Sequence, residues 1–249
     1  MDRSAKEMES NLILALDLPL DTNPSHLLSK SIKILDMVHP HICAVKINRH
    51  LVLPLELFNE VRKVVNFAHN LGLLVIMDCK INDIGYTNRV IAEFYYKVGF
   101  DALTVNPFVG WDGGLQPVFE IAKHMDRGVI PLVYMSHKGA EEGYGQMVLD
   151  PKTGRLTPQY KVFAEKARLW NADGAVVGAT YPEKIGEVKK ILKGQIPIYS
   201  PGVGAQGGNI ELAIRAGASY LIVGRSITLA ENPTETAKSI KDSSWRCVH

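Results

Sequence analysis

The 249-residue chain has few cysteines and no long apolar run, and these absences exclude several classes of protein. Its 3 cysteines, an odd number without Cys-x-x-Cys spacing, exclude a disulfide scaffold and favour a reducing compartment. No apolar stretch approaches the roughly 18 residues of a membrane span. The polar first ten residues do not resemble the apolar core of a signal peptide. We therefore expect a cytoplasmic protein without membrane attachment.

The chain also lacks an excess of charge of either sign. Lys and Arg number 28 against 26 Asp and Glu, so the net charge is only +2. A protein that binds nucleic acid or an anionic membrane surface normally has a larger basic excess. With 46% hydrophobic residues, the composition is that of an ordinary globular protein. We expect a small-molecule ligand and no nucleic acid partner.

Eight short apolar or β-branched segments alternate with helical patterns along the chain. This alternation predicts a single-domain α/β fold, a (β/α)8 TIM barrel. An open doubly wound sheet is the alternative, but the first strand is followed by Leu16-Asp-Leu-Pro-Leu20 instead of a Gly-x-Gly-x-x-Gly turn. The predicted strands are Leu12–Asp17, Ile42–Asn48, Leu73–Lys80, Ala102–Asn106, Val129–Ser136, Ala175–Gly178, Ile196–Ser200 and Tyr220–Gly224.

The pattern places the barrel domain at residues 11–240. Residues 1–10 form a polar N-terminal segment and residues 241–249 a C-terminal tail. The longest interval between strands contains a Gly- and Glu-rich stretch and an Asp-Pro-Lys-Thr-Gly turn, at residues 139–160. Because barrel strands resume after it, we interpret it as an insertion in an active-site loop.

Charged residues stand near the ends of the second and third predicted strands. Chemistry in such barrels takes place at the C-terminal ends of the strands. Since side chains alternate along a strand, Asp78 and Lys80 should face the barrel interior together, and Lys46 should face it from the second strand. The same alternation turns Cys43 and Cys79 outward, where we expect them to be small core residues.

Two further acidic residues belong to the same region. Asp17 ends the first strand, and Asp83 lies beyond the third, on the loop that opens a helix near Ile84. Buried charges must alternate in sign and pair with each other, because an unpaired charge is costly to desolvate. From these residues alone, the cluster is either a structural ion-pair network or a preorganised field for a substrate charge.

Glycine-rich loops follow the last two predicted strands. One contains Ser200-Pro-Gly-Val-Gly-Ala-Gln-Gly-Gly208, and the other contains Gly224-Arg225. Glycine allows backbone N–H groups to approach an oxyanion, and a helix start after each loop adds a positive dipole end. Loops after strands seven and eight are frequent phosphate sites in these barrels. The sequence therefore predicts a phosphate site at this edge of the barrel.

Several short motifs follow one another along the chain from the first strand to the last. They are Ala15-Leu-Asp17, Val45-Lys46, Asp78-x-Lys80-x-x-Asp83 with Thr87, Met135-Ser-His137, Pro201-Gly-Val-Gly-Ala-Gln-Gly-Gly208 and Val223-Gly-Arg-Ser226. Taken in order, these motifs resemble the orotidine 5′-phosphate decarboxylase family in its shorter archaeal form. The similarity runs over about residues 11–232 and is most specific in the glutamine-bearing loop and the Gly-Arg-Ser ending.

The resemblance implies decarboxylation of orotidine 5′-monophosphate to uridine 5′-monophosphate without cofactor or metal. Catalytic roles would fall to Lys80, Asp78, Lys46 and Asp83, with Lys80 as the proton donor. The nucleotide would be bound by Asp17, Lys46, Ile84, Thr87, Ser136, Pro201, Gly202, Val203, Gly204, Gln206, Gly207, Gly224 and Arg225. The family pattern also implies a homodimer in which Asp83, Ile84 and Thr87 enter the site of the other subunit.

Two alternatives stay open at this point. A Mg²⁺-dependent sugar-phosphate decarboxylase or aldolase of the same barrel superfamily would need a second acidic ligand, where this chain has Lys46. A non-catalytic phosphoribosyl-binding protein would keep the phosphate loops, but it should have lost at least one of the four barrel charges.

Overall fold

Eight parallel strands close into a barrel in the computed structural model, which describes residues 1–19, 21, 23–150 and 154–247. Each strand pairs with its neighbours in chain order, and the last barrel strand pairs with the first. The barrel strands are β1 Leu12–Ala15, β2 Ala44–Asn48, β3 Leu74–Ile81, β4 Ala102–Val105, β5 Gly128–Tyr134, β8 Ala175–Val177, β9 Ile198–Pro201 and β10 Tyr220–Val223. The predicted barrel and all eight of its strands are confirmed, with ends that differ by one or two residues.

Helices connect consecutive barrel strands, as a parallel sheet requires. Asn23, which precedes the helix that begins at Pro24, shows how a helix start is encoded: its Oδ1 accepts from Ser25 N–H at 3.0 Å and His26 N–H at 3.3 Å. The helices are α1 Asp2–Glu7, α2 Pro24–Val38, α3 Arg49–Val52, α4 Arg62–Asn70, α5 Gly85–Val98, α6 Gln116–His124, α7 Ala140–Tyr144, α8 Gln159–Leu169, α9 Pro182–Ile191, α10 Ile210–Ala216, α11 Arg225–Thr228 and α12 Pro233–Arg246. Within the described ranges, no helix has the length and apolar character needed to span a bilayer.

Two apolar clusters pack on the two faces of the barrel sheet. The outer cluster lies between strands and helices and includes Cys79, which faces outward as predicted. The inner cluster fills the barrel and includes Ile76, Ile130 and Leu132. Cys43 belongs to this inner cluster, so the prediction that it faces outward is wrong.

The N-terminal helix α1 accounts for the position of Cys43. Ala5 packs into the inner cluster, and Ser4 Oγ donates to the Cys43 carbonyl at 2.6 Å. Cys43 precedes the first paired residue of β2, Ala44, so the alternation of the strand does not extend to it. This end of the barrel is therefore closed by residues from the chain's own N-terminus.

The insertion at 139–160 forms α7 and an antiparallel hairpin of β6 Met147–Leu149 and β7 Leu156–Pro158 before α8 begins. Residues 151–153 of the insertion lie outside the described residues. The Tyr134 hydroxyl at the end of β5 donates to Glu141 of α7, which connects the insertion to the barrel wall.

Candidate active site

One cavity opens at the C-terminal ends of the barrel strands, and most of the predicted site residues line it. Their side chains come from six different strands or the loops after them, so the closed barrel is what brings them together. The predicted residues that line the cavity are Asp17, Lys46, Asp78, Lys80, Ser136, Pro201, Gly202, Val203, Gln206, Gly224 and Arg225.

A network of two lysines and one aspartate lies deep in this cavity. Asp78 Oδ2 accepts from Lys46 Nζ at 2.8 Å, and Asp78 Oδ1 accepts from Lys80 Nζ at 2.7 Å. The side chains of Asp78 and Lys46 are 11% and 8% exposed, whereas that of Lys80 is 25% exposed. Lys80 thus has the most exposed side chain of the network.

The lysines keep Asp78 ionised. Burial alone would raise the pKa of this carboxyl group, but the ammonium groups of Lys46 and Lys80 outweigh burial and hold the pKa well below its ordinary value. Hydrogen bonds from both lysines act in the same direction. The site therefore holds a fixed negative charge between two positive ones at neutral pH.

The lowered pKa of Asp78 predicts how the free energy of unfolding depends on pH. Asp78 binds a proton more readily in the unfolded chain, so its stabilising contribution is complete above about pH 4 and declines as the pH falls. The free energy of unfolding should lose about 1 kcal/mol from this group by pH 3. Urea unfolding measures the free energy of unfolding at pH 5 and at pH 3. Between these pH values, Asp78→Asn should lose about 1 kcal/mol less stability than the wild type. An equal loss in both proteins would contradict the assignment.

The backbone of Lys80 is held in an unusual conformation. Its φ of +49° lies in the left-handed region, which is unfavourable for a residue with a side chain. The register between β3 and β4 shifts between Met77 and Ile81, so Lys80 lies within an irregular part of the strand pair. Strained backbone of this kind is enriched at functional sites.

Thr104 on β4 also belongs to the network, although the sequence reasoning did not find it. Its Oγ1 accepts from the Lys80 backbone N–H at 3.0 Å and donates to Asp78 Oδ1 at 2.9 Å. Strand alternation could have placed Thr104 on the inner face of β4, together with Ala102. A single hydroxyl in an apolar strand gives no charge signal, however, so the sequence does not single it out.

The remaining unpredicted lining is mostly apolar. Apart from Thr104, the unpredicted polar side chain of the lining is that of Asn48, two residues beyond Lys46 on β2. The apolar residues that line the cavity are Ala15, Ile76, Ile130, Leu132, Met135, Val176, Tyr199, Ala205 and Ile222. Ala15, Met135 and Ala205 lie within motifs identified in the sequence. The others resemble barrel core in the sequence, so no local pattern distinguishes them from packing.

The loop after β9 depends on glycine for its shape. Gly202 and Gly204 have φ values of +97° and +71°, and a Cβ on Gly202 would lie 2.8 Å from Ser136 Cβ. Ala205 N–H donates to Ser226 Oγ at 3.0 Å, which joins this loop to the one after β10. Gly204 and Gly207 shape the loop but do not line the cavity.

The loop after β10 brings Arg225 to the same rim. Arg225 begins α11, so its backbone N–H lacks an acceptor within the helix. A Cβ on Gly224 would lie 2.6 Å from Asp17 Oδ2, so glycine is required beside that carboxylate. Asp17 Oδ1 is buried and has no hydrogen-bond partner among the described residues. The residue itself lines the cavity, and a carboxylate there is suited to accept from a ligand hydroxyl.

Besides Gly204 and Gly207, three predicted residues lie outside this cavity. Asp83 and Ile84 are exposed on the loop after β3, and Thr87 is half-buried on α5. Asp83 borders a neighbouring cleft that shares Lys80 with the main cavity. Asn88 holds the loop, since its Oδ1 accepts from Asp83 N–H at 3.0 Å.

The donor set is poorly suited to a divalent cation. Asp78 already accepts from two ammonium groups, and Lys46 occupies the position at which a second acidic ligand would be needed. In the part of the chain that the structure describes, no three His, Cys, Asp or Glu side chains gather as a metal site.

The fold and site together define a (β/α)8 barrel whose mouth joins a buried Lys–Asp–Lys network to a glycine-rich rim that carries Arg225. The model of the Orotidine 5′-phosphate decarboxylase / HUMPS family matches residues 10–240. The chain belongs to this family, which confirms the resemblance seen in its motifs.

Archaeal proteins are among its relatives. Orotidine 5′-phosphate decarboxylase from Methanosarcina barkeri is 36% identical over 234 residues, covering 94% of each chain. The protein of the same name from Pyrococcus horikoshii is 38% identical over 213 residues, covering 86% of this chain and 92% of the relative. The crystal structure of the Methanocaldococcus jannaschii enzyme complexed with inhibitor BMP superimposes with a TM-score of 0.77 at 33% identity, covering 93% of this chain and 96% of that one.

Proposed function

We propose that this protein is a cytoplasmic carboxy-lyase that converts orotidine 5′-monophosphate to uridine 5′-monophosphate without a metal or cofactor. The observation that carries the proposal is the buried Lys46–Asp78–Lys80 network beneath a glycine-rich rim bearing Arg225. Membership of the decarboxylase family supports the choice of substrate.

The reaction needs a positive charge at one carbon atom. When the bond between ring carbon six and the carboxylate breaks, CO₂ leaves and the electron pair stays on carbon six. This pair lies in the ring plane, so the π system does not delocalise it. An ammonium group at that carbon stabilises the pair electrostatically and then supplies the proton that forms the new C–H bond. We assign that group to Lys80, which has the most exposed side chain of the network.

Asp78 and Lys46 prepare Lys80 for this step. Asp78 Oδ1 accepts from the Lys80 ammonium at 2.7 Å and orients it. Lys46 holds the other carboxylate oxygen, so the charge of Asp78 is fixed from both sides. Because these groups are oriented before substrate arrives, little reorganisation is needed in the transition state.

The family resemblance suggests the binding roles, and most of the groups concerned line the cavity. Asp17 and Lys46 would hold the ribose hydroxyls, consistent with the place of both residues in the cavity lining. Ser136 would bind the pyrimidine edge, and its backbone carbonyl is fixed by the Thr180 hydroxyl at 3.0 Å. The phosphate would be held at the rim by residues of the two glycine-rich loops, namely Pro201, Gly202, Val203, Gly204, Gln206, Gly207, Gly224 and Arg225.

Arg225→Ala should weaken binding of orotidine 5′-monophosphate by about 2–3 kcal/mol, the range of a charge-assisted hydrogen bond. Activity on the phosphate-free nucleoside orotidine should change little, because that substrate lacks the group Arg225 binds. Arg215→Ala is a matched control, since Arg215 is an exposed arginine that pairs with Glu211 on α10. Equal losses on nucleotide and nucleoside in Arg225→Ala would show that Arg225 does not serve the phosphate.

We also propose a homodimer in which Asp83, Ile84 and Thr87 complete the site of the partner subunit. Asp83 and Ile84 are exposed, and neither lines the cavity of its own chain. Ile84 and Tyr86 are 67% and 77% exposed, so the loop and the start of α5 carry apolar surface that a partner could cover.

The two alternative functions fit the residues less well. The ammonium of Lys46 would repel the Mg²⁺ ion that a sugar-phosphate decarboxylase or aldolase needs at this position. A non-catalytic phosphoribosyl-binding protein has no use for a buried Lys–Asp–Lys network, which is costly to desolvate.

The direct test is the fall in ultraviolet absorbance when orotidine 5′-monophosphate is added to protein treated with EDTA. We expect full turnover after chelation and uridine 5′-monophosphate as the nucleotide product. Turnover that disappears with EDTA and returns with Mg²⁺ would favour the metal-dependent alternative. Tight nucleotide binding without turnover would favour the non-catalytic one.

A further inference from the structure

We propose that Thr104 is a positioning residue that holds Lys80 and Asp78 in their reactive arrangement. The inference rests on the proposed function, because it concerns how the proton donor of that reaction is set. Thr104 is 3% exposed and lies on β4, opposite the irregular end of β3.

The Thr104 hydroxyl contacts both Lys80 and the carboxylate of Asp78. It accepts from the Lys80 backbone N–H at 3.0 Å and donates to Asp78 Oδ1 at 2.9 Å. The same Oδ1 atom accepts from Lys80 Nζ at 2.7 Å. Backbone, hydroxyl, carboxylate and ammonium therefore form a closed ring that fixes both the origin and the tip of the Lys80 side chain.

The backbone of Lys80 explains why such a contact is needed. Its φ of +49° is unfavourable for a residue with a side chain, so surrounding interactions must hold it there. Regular pairing with β4 is interrupted between Met77 and Ile81. The Thr104 hydroxyl therefore bonds the Lys80 N–H at a point where the regular strand ladder is broken.

The chemistry of the hydroxyl favours positioning over substrate contact. A threonine hydroxyl has one proton, and in this structure it is donated to Asp78. The hydroxyl therefore has no proton left for a substrate oxygen unless it leaves the network. Valine would fill nearly the same volume, and Ile130, Leu132 and Val176 show that apolar residues suit the cavity wall.

The test compares Thr104→Val, which removes the hydroxyl at nearly constant volume, with Thr104→Ser, which retains it. In Thr104→Val we expect kcat for orotidine 5′-monophosphate to fall about 10- to 100-fold, the effect of losing a hydrogen bond to a charged group. KM should change less than about threefold, because the bond is made within the protein. Thr104→Ser should keep kcat within about threefold of the wild type.

A second measurement reports on Lys80 without the decarboxylation step. In D₂O, a correctly placed Lys80 should exchange the proton on carbon six of uridine 5′-monophosphate, which proton NMR detects as loss of signal. Thr104→Val should slow this exchange by a factor similar to its loss of kcat. Thr234→Val is the matched control. Thr234 lies on α12, away from the cavity, and its hydroxyl donates to the Met37 carbonyl at 3.0 Å.

Several results would overturn the proposal. A kcat of Thr104→Val within about threefold of wild type would do so, as would an equal loss in Thr104→Ser, which would assign the effect to the methyl group. A rise in KM with unchanged kcat would show direct substrate contact instead. If Thr104→Val does not fold, Thr104→Ala against Thr104→Ser makes the same comparison, and equal kcat values reject the role. Wild-type protein without decarboxylase activity would reject the proposed function itself.

Discussion

Lys80→Ala should lower kcat for decarboxylation of orotidine 5′-monophosphate by about 10⁴-fold or more. Two contributions disappear together, the electrostatic stabilisation of the carbanion and the delivery of its proton, and each is large by itself. Asp78 keeps its 2.8 Å contact with Lys46, so the buried carboxylate retains a positive partner and the barrel should fold. Single-turnover absorbance decay measures the loss over this range.

Binding measurements separate chemistry from folding in this variant. Calorimetric titration with uridine 5′-monophosphate should show that Lys80→Ala still binds the nucleotide, since the phosphate and ribose contacts remain. Lys97→Ala is a matched control, because Lys97 is an exposed lysine that pairs with Glu93 on α5. Retention of a tenth of wild-type kcat by Lys80→Ala would contradict its assignment as the proton donor.

Most of the barrel could be predicted from the sequence because buried parallel strands are short, apolar and separated by helices. The errors fall at strand ends. Asp17 and Ser136 were predicted within strands, but they lie in the loops that follow, where pairing stops at the open mouth of the barrel. The same uncertainty affects Cys43, which precedes the first residue of β2 at the other end of the barrel. Strand alternation does not hold before Ala44, and α1 folds beneath the barrel to cover that region.

The charged part of the site was predictable for a simple reason. Lys46, Asp78 and Lys80 are charges in otherwise apolar strands, and such charges must meet each other in the barrel interior. Thr104 carries no such signal, because a buried threonine is satisfied equally well by a nearby carbonyl. Its role depends on the irregular backbone at Lys80, and the local sequence does not encode that irregularity in a recognisable way.

Asp83 belongs to the sequence motif of the site but does not line the cavity of its own chain. The Asp78-x-Lys80-x-x-Asp83 spacing groups three residues in the sequence, but only the first two line the cavity. Asp83 has moved past the strand end and is exposed beside Ile84. If Asp83 acts in the reaction, as the family resemblance implies, the partner subunit is the natural place for it to act.

Mixing two inactive variants should restore activity if Asp83 is donated across a two-fold interface. Lys80→Ala and Asp83→Ala should each be nearly inactive alone. After dissociation and reassociation of equal amounts, about half of the dimers should be mixed. One site of each mixed dimer then carries both defects and the other carries neither, so activity should return to about a quarter of wild type. Decarboxylation assays before and after subunit exchange measure this recovery.

A second mixture is the matched control for this experiment. Lys80 and Asp78 line the same cavity of one chain, so Lys80→Ala mixed with Asp78→Ala leaves one defect in every site and should show no recovery. Native mass spectrometry of isotopically labelled chains can verify that exchange has taken place in both mixtures. With exchange verified, recovery in the Lys80→Ala and Asp83→Ala mixture alone places Asp83 in the partner's site. No recovery in that mixture would instead mean that Asp83 serves its own barrel, and the shared site would be rejected.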